Sequence, residues 1–221
     1  MKKIFILFIL CTFLFGCAKE NRLLQIPETE RPEPIIVALG DSLTAGYKVE
    51  EDSSFPSQLE SLLQSNNYNY TVVNGGISGD TSQQLFDRIT DYDDIDAEIF
   101  ILSIGANDGL RKRSIPQMKQ NIISIIDHLQ KTHPHAEIVL NGMQVPIHVG
   151  LSYYRKFKET YFDIAEEQDI KIYDFFLSDV ALRLNLNLDD GIHPNRAGYK
   201  IISENIFEFL EDEDVIIERG E

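Results

Sequence analysis

Cysteine is almost absent from this chain. The only two, Cys11 and Cys17, stand near the N-terminus, and no thiol follows them. A domain built from the later residues therefore has no disulfide, no redox switch and no cysteine nucleophile. With 221 residues, the chain is long enough for one domain whose core is stable without disulfides.

Positive charge is also scarce. The chain has 20 Lys and Arg against 36 Asp and Glu, which gives a formal net charge of −16. Nucleic-acid binding gains affinity from basic patches that release counterions, so nucleic acid is not an expected partner. We interpret the acidic surface as one that keeps the protein soluble.

No apolar run reaches the ~20 residues that a membrane-spanning helix needs. The run Ile4–Phe15 follows two lysines, an order typical of a signal peptide. It ends in Leu14-Phe15-Gly16-Cys17, which resembles the lipobox of bacterial lipoproteins, although Phe15 is bulkier than the usual small residue. The resemblance implies a lipoprotein signal peptide at 1–16 and acylation of Cys17. The product would be an exported lipoprotein, membrane-anchored on the periplasmic side. A plain secretory signal or an uncleaved anchor is the alternative.

Two further segments are expected to lie outside the fold. Residues 17–33, which begin with the lipidated cysteine, are polar and contain Pro27 and Pro32, as is typical of a tether. Half of residues 212–221 are acidic, and the segment is predicted to form a solvated tail. This leaves one folded domain at 34–211.

Short β-branched apolar runs alternate with helical patterns in this domain. Strands are predicted at Ile35–Leu39, Thr71–Val73, Ile99–Ile104, Glu137–Leu140 and Ile170–Tyr173. Helices are predicted at about 55–65, 81–90, 115–131, 152–168 and 195–210. Nearly continuous apolar strands are typical of a parallel sheet that is buried on both faces. The alternation predicts an α/β fold, with an open parallel sheet between two layers of helices.

Polar and glycine-rich stretches follow the first three predicted strands. They are Gly40–Ser42, Asn74–Asp80 and Gly105–Asp108, and a fourth stretch, Asp189–Asn195, leads into the last helix. In open α/β sheets, sites form beyond the carboxyl ends of the strands, so these stretches are expected to meet.

These stretches contain residues suited to acyl transfer. Asp190 is three residues before His193, close enough to hold one imidazole nitrogen and leave the other free as a base. Ser42 lies between a strand and a helix, where backbone N–H groups favour negative charge. Gly79 leaves its N–H unobstructed, and Asn107 adds an amide donor. Each stretch alone is ordinary turn chemistry, and it is their convergence that indicates a site.

The four stretches resemble the four sequence blocks of the SGNH, or GDSL, hydrolases, in particular the bacterial periplasmic thioesterase I/lysophospholipase and arylesterase members. The matching segments are Gly40-Asp41-Ser42-Leu43-Thr44-Ala45-Gly46-Tyr47, Val73-Asn74-Gly75-Gly76-Ile77-Ser78-Gly79-Asp80-Thr81-Ser82, Gly105-Ala106-Asn107-Asp108-Gly109 and Asp190-Gly191-Ile192-His193-Pro194-Asn195. The resemblance extends from about Ile35 to Phe209.

This resemblance implies a three-layer α/β/α sandwich with a flavodoxin-like parallel sheet of five strands. It implies a catalytic triad of Ser42, His193 and Asp190. It also implies an oxyanion hole made by the N–H groups of Ser42 and Gly79 and by the Asn107 amide. No metal and no organic cofactor are expected.

The chain departs from the family pattern in few places. Gly75 and Gly76 replace residues with side chains in many relatives, which predicts a looser loop before Gly79. Met143-Gln144-Val145-Pro146 resembles the substrate-lining loop of the family, but the Ile147-His148-Val149 that follows is less familiar. Asp189 lies beside Asp190, yet only Asp190 has the family's spacing to His193.

Other motifs are missing. No serine lies in Gly-x-Ser-x-Gly, and no glycine-rich phosphate loop is present. His133 and His135 flank Pro134 without nearby ligand partners, so we interpret them as exposed loop residues and not as a metal site.

The expected function is hydrolysis of acyl esters or thioesters through an acyl-enzyme, with arylesterase, acyl-CoA thioesterase or lysophospholipase activity. The expected partners are a small acyl substrate and, through the lipid anchor, a membrane; a monomer is expected. Two alternatives stay open. One is an envelope carbohydrate O-acetylesterase, which activity on acetyl against long-chain esters separates from the first. The other is a non-enzymatic binding lipoprotein.

Overall fold

The structure, a computed structural model, describes residues 33–217. The expected signal peptide at 1–16, Cys17 and the tether up to residue 32 lie outside the described residues. The last four positions of the expected tail, 218–221, lie outside them as well.

Within residues 33–217, five parallel strands form one sheet in the order β2-β1-β3-β4-β5. They are β1 Ile35–Gly40, β2 Thr71–Gly76, β3 Ala97–Ser103, β4 Glu137–Asn141 and β5 Lys171–Tyr173. The chain reverses its direction across the sheet between β1 and β3. In flavodoxin-like sheets this switch point is where ligands bind. The predicted parallel five-stranded sheet is confirmed, and each predicted strand overlaps an observed one.

Helices cover both faces of this sheet. They are α1 Ser42–Ala45, α2 Phe55–Ser65, α3 Ser82–Asp87, α4 Ala106–Leu110, α5 Ile115–Thr132, α6 Leu151–Gln168 and α7 Arg196–Asp212. Helix α2 packs on α7, while α5 packs on both α3 and α6, which gives the predicted three layers. None of the helices within residues 33–217 has the length and apolarity needed to span a membrane.

Helix α5 illustrates how the local sequence sets the start of a helix and its buried face. Ser114 caps its first turn by accepting a hydrogen bond from the Gln117 N–H, and Pro116 occupies a first-turn position where no N–H is needed. One face of the helix is buried against the sheet at helical spacing, by Ile115, Met118, Ile122, Ile125, Ile126 and Leu129. Burial of this apolar face stabilises the helix more than its intrinsic propensity does.

Part of the expected acidic tail packs on the domain. Val215 and Ile216 are only 5% and 6% exposed. Their N–H groups donate to the Leu210 carbonyl oxygen at 2.9 and 3.4 Å, which closes the end of α7. The prediction of a solvated segment is therefore wrong at these two positions, because burying two large apolar side chains outweighs the acidic residues that precede them.

Candidate active site

Ser42 begins a short helix directly after the first strand. Strand β1 ends at Gly40, and Ser42 is the first residue of the four-residue helix α1. The Asp41 side chain caps this helix by accepting a hydrogen bond from the Leu43 N–H at 3.0 Å. Strand and cap together hold the half-buried Ser42 at the carboxyl edge of the sheet.

Ser42, His193 and Asp190 form a continuous hydrogen-bonded row. Ser42 Oγ lies 2.9 Å from His193 Nε2, and His193 Nδ1 lies 2.9 Å from Asp190 Oδ2. Because an ionised carboxylate can only accept, it fixes a proton on Nδ1 and leaves Nε2 to accept from the serine hydroxyl. This arrangement of hydroxyl, imidazole and carboxylate is suited to acyl transfer.

A tight turn holds Asp190 against His193. Asp190 Oδ1 accepts from the N–H groups of Ile192 and His193 at 2.9 and 3.0 Å, with Gly191 at φ +68° between them. Burial acts to raise the pKa of Asp190, but the hydrogen bonds from the His193 and Ile192 backbone and from the imidazole outweigh it. They lower that pKa to about 2, so the carboxyl is ionised at neutral pH. Its neighbour Asp189 is also exposed, but the Asp189 side chain makes no hydrogen bond to any residue within 33–217.

Two tyrosines contact this row of side chains. The ring centroid of Tyr47 lies 4.5 Å from that of His193. The Tyr199 hydroxyl donates to the Ser42 carbonyl oxygen at 3.4 Å. Burial raises the pKa of Tyr199 well above its usual range, so the hydroxyl keeps its proton. These contacts restrict Ser42 and His193 to one relative position.

The loop after β2 brings the Gly79 N–H to the same edge of the sheet. The Ile77 N–H donates to the Gly40 carbonyl oxygen at 3.1 Å, which fixes the loop to β1. Gly79 has φ +92°, and a side chain there would meet no atom within 4 Å. Its N–H has no hydrogen-bond partner within residues 33–217, so it is available to a ligand.

The pair Gly75-Gly76 does not loosen this loop, contrary to expectation. Both residues belong to β2 and pair with the end of β1. A Cβ on Gly76 would clash with the backbone of Ala45, and one on Gly75 would lie 2.9 Å from Leu39 Cδ2. Their missing side chains let α1 pack directly on the end of β2.

Asn107 lies in the first turn of α4 and connects three parts of the site. Its Nδ2 donates to Asp41 Oδ2 at 3.2 Å and to the Asp80 carbonyl oxygen at 3.0 Å. Arg111 Nη2 donates to Asn107 Oδ1 at 3.2 Å and to the Gly79 carbonyl oxygen at 3.3 Å. Both amide N–H groups therefore have protein partners, and donation to a substrate oxygen would replace one of them.

Asp41 is a fully buried carboxyl beside the proposed nucleophile. Burial raises its pKa to about 7, assisted by the nearby carboxylates of Asp80 and Asp108 and opposed by hydrogen bonds from the Leu43 N–H and Asn107. The ionised form, which accepts best from Asn107, is thus the form that burial disfavours. This group changes its charge near neutral pH.

Arg88 ties the Gly79 loop to the strand that leads to Ser42. Its Nε donates to Asp80 Oδ2 at 2.8 Å, and its Nη2 donates to the carbonyl oxygens of Gly40 and Gly75 at 3.2 and 3.0 Å. Both members of the ion pair are little exposed, so solvent screens their attraction weakly. Removing either one would leave a buried charge unpaired.

A second buried hydrogen-bond network joins the helices that follow the site loops. Asp108 accepts from the Ser82 N–H at 2.8 Å and from its hydroxyl at 3.0 Å, and Asn121 Nδ2 donates to Ser82 Oγ at 3.0 Å. These bonds join α3, α4 and α5, and they fix the helix that carries Asn107.

An apolar cavity of about 250 Å³ is lined by the chain neighbours of Ser42 and His193. Its wall includes Leu43, the residue after Ser42, and Ile192, the residue before His193. The opposite wall is formed by residues 143–147, which contain the segment likened to a substrate-lining loop, and by Leu177 and Leu182. The site therefore has a polar, hydrogen-bonded side and an apolar side.

Of the two histidines interpreted as exposed loop residues, His135 is exposed, as predicted, but the prediction is wrong for His133, which is half-buried. Its ring packs against Phe100 with centroids 4.9 Å apart, and its Nε2 is buried without a hydrogen-bond partner. It follows the last turn of α5, where contact with Phe100 of β3 half-buries it. Across the described range, 33–217, no three His, Cys, Asp or Glu residues are grouped so that they could hold a metal ion.

The structure brings together the residues that the sequence singled out on separate stretches: Ser42, Gly79, Asn107, Asp190 and His193. It adds five residues to which the sequence analysis assigned no role, which are Tyr47, Asp41, Arg88, Arg111 and Tyr199. Asp41 and Tyr47 lie inside the first block, and Arg88 and Arg111 are cations close behind the second and third blocks of an acidic chain. Their positions in or near the family blocks could have pointed to these four residues, whereas nothing in the sequence pointed to Tyr199.

Comparison with known proteins agrees with this geometry. The model of the GDSL-like Lipase/Acylhydrolase family matches residues 38–201. The arylesterase of Vibrio mimicus is 32% identical to this chain over 79% of it and 87% of its own length. The thioesterase 1/protease 1/lysophospholipase L1 of Escherichia coli strain K12 is 34% identical, over 76% of this chain and 79% of its own.

A solved structure is similar as well. That of AlinE4, an SGNH-hydrolase family esterase, has a TM-score of 0.69 and 34% identity, and it covers 84% of this chain and 96% of its own. Sequence and structure comparisons together confirm the resemblance to GDSL hydrolases.

The variant Asp41→Asn tests the raised pKa of Asp41, because that pKa makes the free energy of unfolding depend on pH. Because the pKa of Asp41 is raised from 3.8 to about 7, the folded protein keeps a proton that the unfolded chain loses. Its contribution to stability is therefore full below about pH 4 and is lost as the pH rises to about 7. The unfolding free energy of wild type minus that of the variant should fall across this window, by at most ~1.4 kcal/mol per pH unit, and stay level above it. Urea denaturation at stepped pH measures this difference, and a level difference throughout would contradict the raised pKa.

Proposed function

The chain belongs to the GDSL-like lipase/acylhydrolase family and is an ester-hydrolysing enzyme, and from this premise we propose that it hydrolyses acyl esters and thioesters through an acyl-enzyme on Ser42. The observation that carries the proposal is the hydrogen-bonded row of Ser42, His193 and Asp190, whose chain neighbours Leu43 and Ile192 line an apolar cavity.

The first step forms the acyl-enzyme. His193 Nε2 takes the proton of the Ser42 hydroxyl as Oγ attacks the carbonyl carbon of the substrate. Asp190 stays ionised and stabilises the imidazolium that forms. The imidazolium then gives the proton to the leaving alcohol or thiol, and the bond between carbonyl carbon and leaving group breaks. Water attacks the acyl-enzyme in the second step, with His193 again as the base.

The developing oxyanion needs donors fixed before the reaction. The N–H groups of Ser42 and Gly79 are proposed to supply two of them. The third is Asn107 Nδ2, which would exchange its bond to the Asp80 carbonyl oxygen for one to the oxyanion while keeping the bond to Asp41. The Arg88 and Arg111 contacts hold this loop and helix in place during that exchange.

The apolar cavity is proposed to hold the acyl chain. An apolar cavity of ~150 Å³ accommodates benzene with its six carbon atoms. At about 250 Å³ the cavity therefore has room for roughly ten carbon atoms. An acetyl group would leave most of it empty, which argues against carbohydrate O-acetylesterase activity. A non-enzymatic binding role would have no use for the aligned Ser42 and His193.

A series of p-nitrophenyl esters, from acetate to palmitate, tests this proposal. Each methylene buried in the cavity contributes up to ~0.8 kcal/mol, so kcat/KM should rise up to acyl chains of about eight to ten carbons and then fall. Ala181→Phe, which fills the cavity wall, should move the maximum to shorter chains. Ala197→Phe, on the exposed start of α7, is the matched control and should not move it. A maximum at acetate would contradict the acyl-chain cavity and favour the acetylesterase. A lysophospholipid and an acyl-CoA tested beside the esters would compare the leaving groups.

We further propose that the chain is a bacterial envelope lipoprotein anchored through Cys17. The charged start, the short apolar run and the lipobox-like segment before Cys17 support this proposal. Cys17→Ser should abolish the incorporation of labelled fatty acid and release the protein from membranes. Cys11→Ser, inside the apolar run, is the matched control and should leave both unchanged. Fatty-acid label that persists in Cys17→Ser would exclude this anchor.

A further inference from the structure

Several large apolar side chains around the cavity are exposed to solvent. Leu110, Ile147, Leu182 and Ile192 all line the cavity, and each is exposed, Leu182 by as much as 88%. Leu184, two residues further, is 89% exposed. These five residues are the apolar rim. Single exposed leucines are ordinary, but a group of them around one cavity mouth indicates an interaction surface.

The loop that carries Leu182 and Leu184 holds them outward. Leu182 has φ +64°, an uncommon conformation for a bulky residue that persists only where the surroundings fix it. Here the buried Asn187 fixes it, since its Nδ2 donates to the carbonyl oxygens of Val180 and Arg183, both at 2.8 Å. The leucines are thus presented to solvent by a braced loop.

Two chain segments beside the rim carry only positive charge, whereas Asp189 and Asp190 stand just before the rim residue Ile192. Residues 109–126 and 138–158 contain seven of the 20 Lys and Arg and none of the 36 Asp and Glu. Arg111, Lys112 and Arg113, which follow the rim residue Leu110, are exposed. In a chain of net charge −16, this separation of charge leaves a cationic edge next to the cavity.

A hydrogen bond joins the two cationic segments. The Tyr153 hydroxyl donates to the Arg113 carbonyl oxygen at 2.9 Å, which places the start of α6 with its exposed Arg155 and Lys156 beside residues 111–113. On the far side of the rim, Arg183 pairs with Asp179 at 3.4 Å. The net charge beside the rim is therefore positive chiefly at its α4 and α6 side.

The tether is long enough for the rim to face a membrane. The site lies at the carboxyl ends of the strands, whereas the chain enters the domain at the opposite end of β1. Cys17 and Glu33 are 16 positions apart. An extended segment of that length spans up to ~55 Å, against ~20 Å for a six-residue strand. A chain held at Cys17 can therefore turn either edge of the sheet toward the lipid.

We propose that the apolar rim docks on an anionic lipid surface. Leu182 and Leu184 insert among the acyl chains, and the cations Lys112, Arg113, Arg155 and Lys156 meet the lipid phosphates. Apolar insertion combined with Lys and Arg is how proteins bind anionic membranes at the interface. Docking lets an acyl chain pass from the lipid into the cavity without crossing water. This inference rests on the proposed function and adds the surface from which the substrate is taken.

The test compares one ester in vesicles with another in solution. All proteins are full chains that carry Cys17→Ser, so the lipid anchor does not contribute; in this test, wild type means the chain with that one change. The vesicles are phosphatidylcholine alone or mixed with phosphatidylglycerol, and they carry p-nitrophenyl decanoate; the soluble substrate is p-nitrophenyl acetate. The rim variant is Leu184→Ser, because Leu184 does not line the cavity, and the charge variant is Lys112→Gln.

Matched controls come from the opposite edge of the sheet. Ile217 is exposed, and its N–H donates to the Tyr70 hydroxyl just before β2 begins, so Ile217→Ser removes an exposed apolar side chain far from the rim. Lys131 is an exposed lysine in the last turn of α5, so Lys131→Gln removes a charge there.

Leu184→Ser should lower the rate on vesicles about tenfold, the loss expected for one inserted leucine. Lys112→Gln should lower it about fivefold on anionic vesicles only, which corresponds to ~1 kcal/mol per cation near an anionic surface. High salt should remove the wild-type preference for anionic vesicles. Hydrolysis of the acetate ester should be unchanged in both variants, and the controls should match wild type on every substrate.

Several results would overturn the docking proposal. Leu184→Ser could match Ile217→Ser on vesicles, or wild type could treat neutral and anionic vesicles alike. An equal loss on the acetate ester would show that the rim acts on the site itself. A wild-type dimer that Leu184→Ser dissociates would show that a second copy covers the rim. Wild type that hydrolyses neither ester would instead contradict the proposed function.

Discussion

The carboxyl group of Asp41 is fully buried between donors from the ends of two different strands. One oxygen accepts from the Leu43 N–H and fixes the helix that begins at Ser42, and the other accepts from Asn107 on α4. Burying an acid is unfavourable, and the two hydrogen bonds offset that cost only in part, so its pKa stays raised, at about 7. The relative position of Ser42 and Asn107 depends on this one group.

Two kinds of packing surround that contact. On one side, the Arg88–Asp80 ion pair and the Asp108–Ser82 network fix the loops in a polar, weakly screened environment. On the other side, the cavity is apolar and leads to an exposed apolar rim. If an ester carbonyl were bound at Ser42, its oxygen would face the hydrogen-bond donors of the loops and its acyl chain would face the apolar side chains of the cavity. Because the polar side and the apolar side adjoin, the same edge of the sheet can bind an acyl chain and hold the reacting carbonyl group.

Periodicity predicted the sheet and the four long helices α2, α5, α6 and α7 because their apolar faces are set by local sequence; the helix predicted at 81–90 is shorter, since α3 ends at Asp87. Periodicity did not predict α1 and α4, which are too short to show a period. The grouping of Ser42, Gly79 and Asn107 was predicted from their positions after three parallel strands, and the resemblance to the family blocks added the Asp190–His193 turn. The roles of Arg88 and Asn187 did not, because both bind backbone carbonyls that only the folded chain presents. Val215 and Ile216 were misjudged because acidic neighbours masked two residues that the core buries.

The central claim is that Ser42 is a nucleophile activated by His193 and oriented by Asp190. The rate at which a fluorophosphonate probe labels the protein, with the labelled peptide identified by mass spectrometry, tests it most directly. The account predicts a single label on Ser42 that is lost in Ser42→Ala. The labelling should be slowed by Asp190→Asn and unchanged by Asp189→Asn, whose side chain is exposed beside the row. Label on another serine, or equal slowing by the two aspartate variants, would contradict it.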